Sequence, residues 1–261
     1  MFLALSHDIT DIQLTRGESN RIDTLKGRLM YRTLPCSIVL AILIASVSIA
    51  GDNQLTDAEK VAGWQLLFNG KDLSGWRCNN SRPISTKIED GSLVPYQSGG
   101  YLIIHDSQFG DFVLKCDVRW EDPRCNSGVF FRVEGPRDPI NTGFEAQIMA
   151  GIGTGKHDMG AIYDLVAPSR AAGHGVGEWN SIEVRCDGPH ISVKVNDVLV
   201  SAMNCDEFDK PGICPDGQPH KFKLNGRSRA IKDFARSGYL GFQDHGHKVW
   251  YKNVKVLNLK K

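Results

Sequence analysis

Two neighbouring stretches, Ser127-Gly-Val-Phe-Phe-Arg132 and Gly143-Phe-Glu-Ala-Gln-Ile-Met149, decide the fold class. Both read with a period of two, which is the mark of a strand rather than a helix. In the second, Phe144, Ala146 and Ile148 share one face, and Glu145 and Gln147 share the other. In the first, Val129, Phe131 and Val133 share a face, leaving Phe130 and Arg132 opposite. An acid, an amide and an arginine on adjoining strands can build a polar binding surface. Alternation alone favours a plainer reading, the solvent-facing side of an antiparallel sheet.

The same period runs outward in both directions. From 111 to 120, Phe112, Leu114, Cys116, Val118 and Trp120 alternate with Val113, Lys115, Asp117 and Arg119. Further strands are expected at 64–68, 92–94, 101–104, 160–165, 179–186, 190–195, 198–203, 238–242 and 249–257. Asp187-Gly188 and Asn196-Asp197 supply the turns between three of them. Thr56 can cap one helical turn over 56–60, and no longer helix-period segment follows residue 50. Many short strands with closely spaced turns predict an all-β, two-sheet sandwich or jelly roll. No Pro-, Ser- or charge-rich linker interrupts 52–261, so residues 51–261 are expected to form a single domain.

The chain has 261 residues, 41% of them hydrophobic, and a formal net charge of +1. It can bury a core, and it has no basic, aromatic-laced run that would suit nucleic acid. Residues 30–50 combine a short basic region, an apolar core and a Ser48-Ile49-Ala50 cleavage pattern. They read as a secretory signal peptide cleaved after Ala50, with Met30 as the initiator and residues 1–29 as an over-extended gene start. An uncleaved anchor is the less favoured alternative. Cleavage would leave a secreted or periplasmic protein with no stable membrane insertion. Six cysteines follow Ala50, with Cys205 and Cys214 the expected disulfide pair. Cys116 and Cys186 fall on the apolar parity of their strands and suit buried thiols equally well. No cysteine spacing resembles a zinc site. The glycine-rich run 151–158 lacks the spacing of a phosphate-binding loop, so no nucleotide cofactor is expected.

Seven stretches carry a family resemblance. They are Leu67-Phe-Asn-Gly-Lys-Asp-Leu-Ser-Gly-Trp76, Phe109-Gly-Asp-Phe-Val-Leu-Lys115, Asn126-Ser-Gly-Val-Phe-Phe-Arg132 and Gly143-Phe-Glu-Ala-Gln-Ile148. Gly160-Ala-Ile-Tyr163, Gly177-Glu-Trp-Asn180 and Gly238-Tyr-Leu-Gly-Phe-Gln-Asp-His-Gly246 complete the series. In this order they resemble the 3-keto-disaccharide hydrolase family, also described as 3-keto-glucoside 1,2-lyase and 3-keto-2-hydroxyglucal hydratase domains. The resemblance implies a concanavalin-like jelly-roll sandwich, bacterial export and a glycoside or oligosaccharide substrate already oxidised at C3. The sequence departs from the family pattern in its short glycine-rich segment between Gln147 and Gly160, and in Ala146 and Met149 around the Glu-x-Gln core.

For such a substrate the resemblance implies a site. Glu145 is expected as the base that removes the C2 proton, or as a metal ligand. His245 is expected as ligand, base or acid, Arg132 as fixed positive charge for the enolate, and Tyr163 as donor to the leaving oxygen. Gln147 and Gln243 would read sugar hydroxyls, and Trp179 would stack on a ring. Glu145 and His245 with a further oxygen donor could hold one divalent metal ion. Plainer roles stand beside these: an exposed Glu145–Arg132 ion pair, a turn at His245, and packing for Tyr163 and Trp179. His105, His157, His174, His220 and His247 are read as ordinary surface or loop residues. A non-catalytic carbohydrate-binding module is the runner-up function, and a structural sandwich the third.

Overall fold

The computed structural model describes residues 51–259, so the gene-start extension expected over 1–29 and the signal peptide expected over 30–50 lie outside the described residues. Thr56 caps a short helix, α1 (Asp57–Ala62), through a reciprocal box: its hydroxyl accepts from the Glu59 N–H, and the Glu59 carboxylate accepts from its own N–H.

Thirteen strands follow. β1 (Gln65–Leu66), β2 (Trp76–Cys78), β3 (Leu102–Phe109), β4 (Phe112–Trp120), β5 (Asn126–Val133) and β6 (Phe144–Met149) come first. After a long connection come β7 (Asn180–Asp187), β8 (His190–Val195), β9 (Val198–Asn204), β10 (Lys223–Leu224), β11 (Arg227–Ser228), β12 (Gly238–Gln243) and β13 (Val249–Asn258). Two sheets carry the architecture, in the orders β1-β13-β4-β7-β8-β9 and β2-β3-β12-β5-β6. Every pairing within them is antiparallel. This is the all-β, two-sheet jelly-roll sandwich of concanavalin-like type.

One core lies between the sheets. Phe112, Leu114, Cys116, Val118 and Trp120 of β4 meet Val129, Phe131, Phe144, Ala146 and Ile148 of β5 and β6 there. Burial of such side chains contributes roughly 1.5–3 kcal/mol each, which fixes the strand parity. The expected segment 160–165 is not a full strand. It runs along the free edge of β6 through three backbone hydrogen bonds, Gln147 N to Ala161 O, Gly160 N to Gln147 O and Tyr163 N to Glu145 O.

The parity of β5 departs from simple alternation. Arg132 has φ +50°, a left-handed conformation that inserts a bulge. Val133 therefore crosses to the outer face and joins Phe130, Leu102 and Ile104 in a second apolar cluster flanked by Tyr101 and Tyr239. Gly238 accommodates the bulge, since a Cβ there would stand 2.5 Å from the Arg132 carbonyl carbon. The expected Cys205–Cys214 bridge is not made, and all six cysteines of the described residues are buried free thiols. Cys205 lies within electrostatic reach of Cys186, whereas Cys214 accepts a contact from Lys156 Nζ at 3.7 Å.

Candidate functional site

The outer face of the five-stranded sheet carries the site. Pairing of β5 with β6 sets Gly128 opposite Gln147 and Phe130 opposite Glu145. Pairing of β12 with β5 sets Phe242 opposite Val129, so the register brings Gln243 alongside Gly128 from the other side. The row Gln243, Gly128, Gln147 spans two inter-strand steps, about 10 Å between the outer Cα atoms. Its middle position has no side chain, and the Glu145 carboxyl folds into that gap. A Cβ at Gly128 would stand 2.1 Å from Glu145 Oε1.

The three side chains are buried, with Glu145, Gln147 and Gln243 only 8%, 1% and 4% exposed. The Gln147 amide nitrogen donates to Asn126 Oδ1 at 3.0 Å, and that of Gln243 donates to the Tyr101 hydroxyl at 2.5 Å. Each amide is thus anchored through its NH2, while both carbonyl oxygens, Oε1 of Gln147 and of Gln243, are buried without a partner among the described residues. An orphaned buried acceptor costs about 1–3 kcal/mol, which a hydroxyl donor would recover.

Glu145 itself makes no side-chain hydrogen bond among the described residues. Burial pushes its pKa up to about 8, against a smaller downward pull from the Lys221 ammonium. Lys221 Nζ sits 3.9 Å from the centre of the Tyr163 ring, whose other contact is a stacked His157 at 4.5 Å. His157 in turn meets Asp164 at 3.0 Å. Tyr101, packed edge-on against Phe130, is pushed up to about 12, first by burial and then by the charge of Glu145. The constellation is thus an unpaired buried carboxyl, two amide acceptors, two phenols and one lysine. It suits proton transfer on a hydroxyl-rich ligand.

A family model described as the 3-keto-alpha-glucoside-1,2-lyase-like domain matches residues 63–257. The chain belongs to that family. Among relatives of the 3-keto-alpha-glucoside-1,2-lyase-like family, the 3-keto-disaccharide hydrolase of Bacteroides thetaiotaomicron is 23% identical over 229 residues, covering 74% of this chain and 78% of that protein. Two solved structures from Parabacteroides distasonis, both assigned provisionally as glycosyl hydrolases, are similar at TM-scores of 0.64 and 0.63. They are 28% and 26% identical, covering 80% and 75% of this chain and 100% and 99% of theirs.

Not every residue singled out from the family motifs reaches the site. Glu145, Gln147, Gln243 and Tyr163 are brought together. Arg132 is not: its side chain is 0% exposed and leaves this face at the bulge. Its Nη2 meets Asp111 Oδ1 at 2.9 Å, while Nε and Nη1 donate to the Gly110 and Gly188 carbonyls at 3.0 and 2.9 Å. The expected Glu145–Arg132 pairing is replaced by this clasp. Trp179 lies on the other sheet, between Lys252 of β13 and Arg119 of β4, whose charges stand 4.3 and 5.3 Å from its ring. Stacking on a ligand held by Glu145 is therefore ruled out for it.

His245 is exposed in the turn after β12 and makes no hydrogen bond or ion pair among the described residues. No group of three His, Cys, Asp or Glu side chains among the described residues is placed to hold a metal ion. Tyr101, Lys221, Gly128 and Asn126 are the site residues that sequence reasoning missed. In a polar cleft on the opposite sheet, Glu183 pairs with Lys115 and Lys194 at 3.2 and 2.9 Å.

Proposed function

We propose that this protein is an exported enzyme that cleaves 3-keto-glycosides by elimination and hydration, with net hydrolysis of the glycosidic bond. The observation that carries the reading is the buried Glu145 carboxyl, seated over Gly128 between two amides whose carbonyl oxygens lack partners. The family match, the relative named as a 3-keto-disaccharide hydrolase and the signal-like residues 30–50 support it.

A ketone at C3 acidifies the C2 hydrogen, because the electron pair left on C2 delocalises onto the ketone oxygen. Glu145 takes that proton. A base whose pKa lies near the working pH combines a useful ionised fraction with basicity, and burial puts Glu145 in that range. The enolate then expels the C1 oxygen, and Tyr163 protonates the departing aglycone. Water adds across the resulting C1–C2 double bond to give the free 3-keto sugar. Gln147 and Gln243 accept from ring hydroxyls and hold C2 against the carboxyl. Lys221 keeps part of Glu145 ionised. Arg132 and Trp179 have no part in these steps.

The test is aglycone release by the purified protein from 3-keto-glucosides and from unmodified glucosides. Release from the oxidised substrates, lost in Glu145→Gln, supports the reading. Hydrolysis of unmodified glucosides at an equal rate would overturn the elimination chemistry. Binding of both without release would instead make the domain a carbohydrate-binding module.

A further inference from the structure

With Arg132 withdrawn into its clasp, the elimination has no evident group for the ketone oxygen, where negative charge develops as the C2 proton leaves. We propose that Tyr101 is the catalytic hydrogen-bond donor to that oxygen, an inference that rests on the elimination reading of the same site.

Three features of Tyr101 converge. Its place is fixed: it immediately precedes β3, its ring packs edge-on against Phe130 with centroids 6.1 Å apart, and Phe130 faces Glu145 across the β5–β6 pair. Its hydroxyl orientation is fixed as well. The oxygen accepts from Gln243 Nε2, and its own proton has no acceptor among the described residues. An engaged lone pair and a free O–H make the phenol a donor toward whatever enters beside Glu145. Gln243, which holds the Tyr101 hydroxyl, stands in the same cross-strand row as Gly128, into whose gap the Glu145 carboxyl folds, and the Tyr163 N–H donates to the Glu145 carbonyl, so base, leaving-group donor and this hydroxyl belong to one patch of the sheet.

The Gln243 contact also has a chemical consequence. An amide donating to a phenol oxygen polarises the O–H bond, so the hydrogen bond Tyr101 gives grows stronger as its acceptor gains charge. That is the differential interaction a catalytic donor needs, weak toward the ketone and strong toward the enolate. No proton need be transferred from Tyr101. The C2–H bond breaks to Glu145, its electron pair forms the C2–C3 double bond, and the C3 oxygen carries the charge that the phenol stabilises.

The experiment measures release of p-nitrophenol from p-nitrophenyl 3-keto-glucoside by the full-length protein and by Tyr101→Phe, with thermal denaturation as the check on folding. The expected result is a fall in kcat of roughly 100-fold with KM within about threefold, since the lost bond is made chiefly to the enolate. The phenyl ring keeps the packing on Phe130. Fluorotyrosines placed at position 101 give a second, isosteric series in which kcat should track phenol acidity. A Tyr101→Phe variant that keeps kcat within threefold, or a flat fluorotyrosine series, overturns this assignment and leaves the elimination reading standing. An inactive native protein overturns both.

Discussion

The Glu145 carboxyl occupies the place where a side chain at Gly128 would stand, with Oε1 2.1 Å and the carboxyl carbon 2.7 Å from a Cβ at that position. The atoms in the way are the far end of a flexible side chain, not backbone. Gly128→Ala should therefore fold, at a cost of about 1–3 kcal/mol for the crowding, but with its carboxyl displaced from the Gln243–Gln147 row. A 1 Å misplacement of a base can cost about 100-fold in rate. Aglycone release by the purified variant, beside its denaturation curve, checks this. Unchanged turnover would show that Glu145 is not positioned by this glycine.

Burial raises the Glu145 pKa from 4.5 to about 8, so the folded protein holds a proton that the unfolded chain releases at lower pH. The stability this proton contributes is complete below about pH 4.5 and is lost as the pH rises through 8. Glu145→Gln removes that dependence. The variant should match the native protein near pH 4 and exceed it at pH 8–9 by as much as roughly 4 kcal/mol. Urea titrations at the two pH values measure the difference. A native protein whose stability runs parallel to the variant's at both would rule out the raised pKa. Activity should move the other way, with the variant losing turnover at every pH.

If ionised Glu145 is the base, kcat/KM should climb with pH toward a limb near 8. The Lys221 ammonium pulls that limb down, so Lys221→Met should move it to higher pH. The shift should be a fraction of a unit, because Lys221 is exposed and screened by salt. A pH–rate profile in low and moderate salt reads it directly. An unmoved limb would place Lys221 outside the field of the base.

How far the sequence reveals this arrangement depends on which parts obey a local period. The nine-residue alternation over Phe112–Trp120 and the two hairpin turns required only nearest-neighbour reasoning, and the sandwich follows from them. Glu145 and Gln147 were legible for the same reason, two residues apart on the outward parity of one strand. Arg132 was not, because one left-handed residue reversed the parity within β5, and φ is invisible in the motif. Gln243 and Tyr101 reach Glu145 only through the order β3-β12-β5-β6, in which strands distant in the chain lie side by side. Lys221 arrives from a loop with no period at all. The glycine at position 128 was a faint available signal, since a side-chain-free position inside an otherwise bulky strand marks a close approach.

Trp179 offers a control for the choice of sheet. Its ring is held between Arg119 and Lys252 on the six-stranded sheet, so Trp179→Ala should leave kcat/KM within about twofold. The two cation–π contacts would be lost, at about 0.5–1 kcal/mol each. A large rise in KM would move the substrate to that face.

Arg132 belongs to stability rather than chemistry. Its guanidinium closes on Asp111 and on the Gly110 and Gly188 carbonyls, tying the bulge of β5 to the β3–β4 and β7–β8 turns. Asp111 Oδ1 also accepts from the Gly188 N–H at 3.0 Å, so the carboxylate links both turns. Removing one member of a buried pair leaves the other charge desolvated, a loss of about 3–5 kcal/mol. Arg132→Met should fall in stability by that amount, and kcat per folded molecule should hold, because no atom of Arg132 reaches the ligand side of the sheet. Pairing it with Asp111→Asn should recover part of the loss, since no uncompensated charge is left behind. Denaturation of the two variants and active-site-normalised turnover decide the matter: a stable Arg132→Met protein with a collapsed kcat would return the arginine to the enolate.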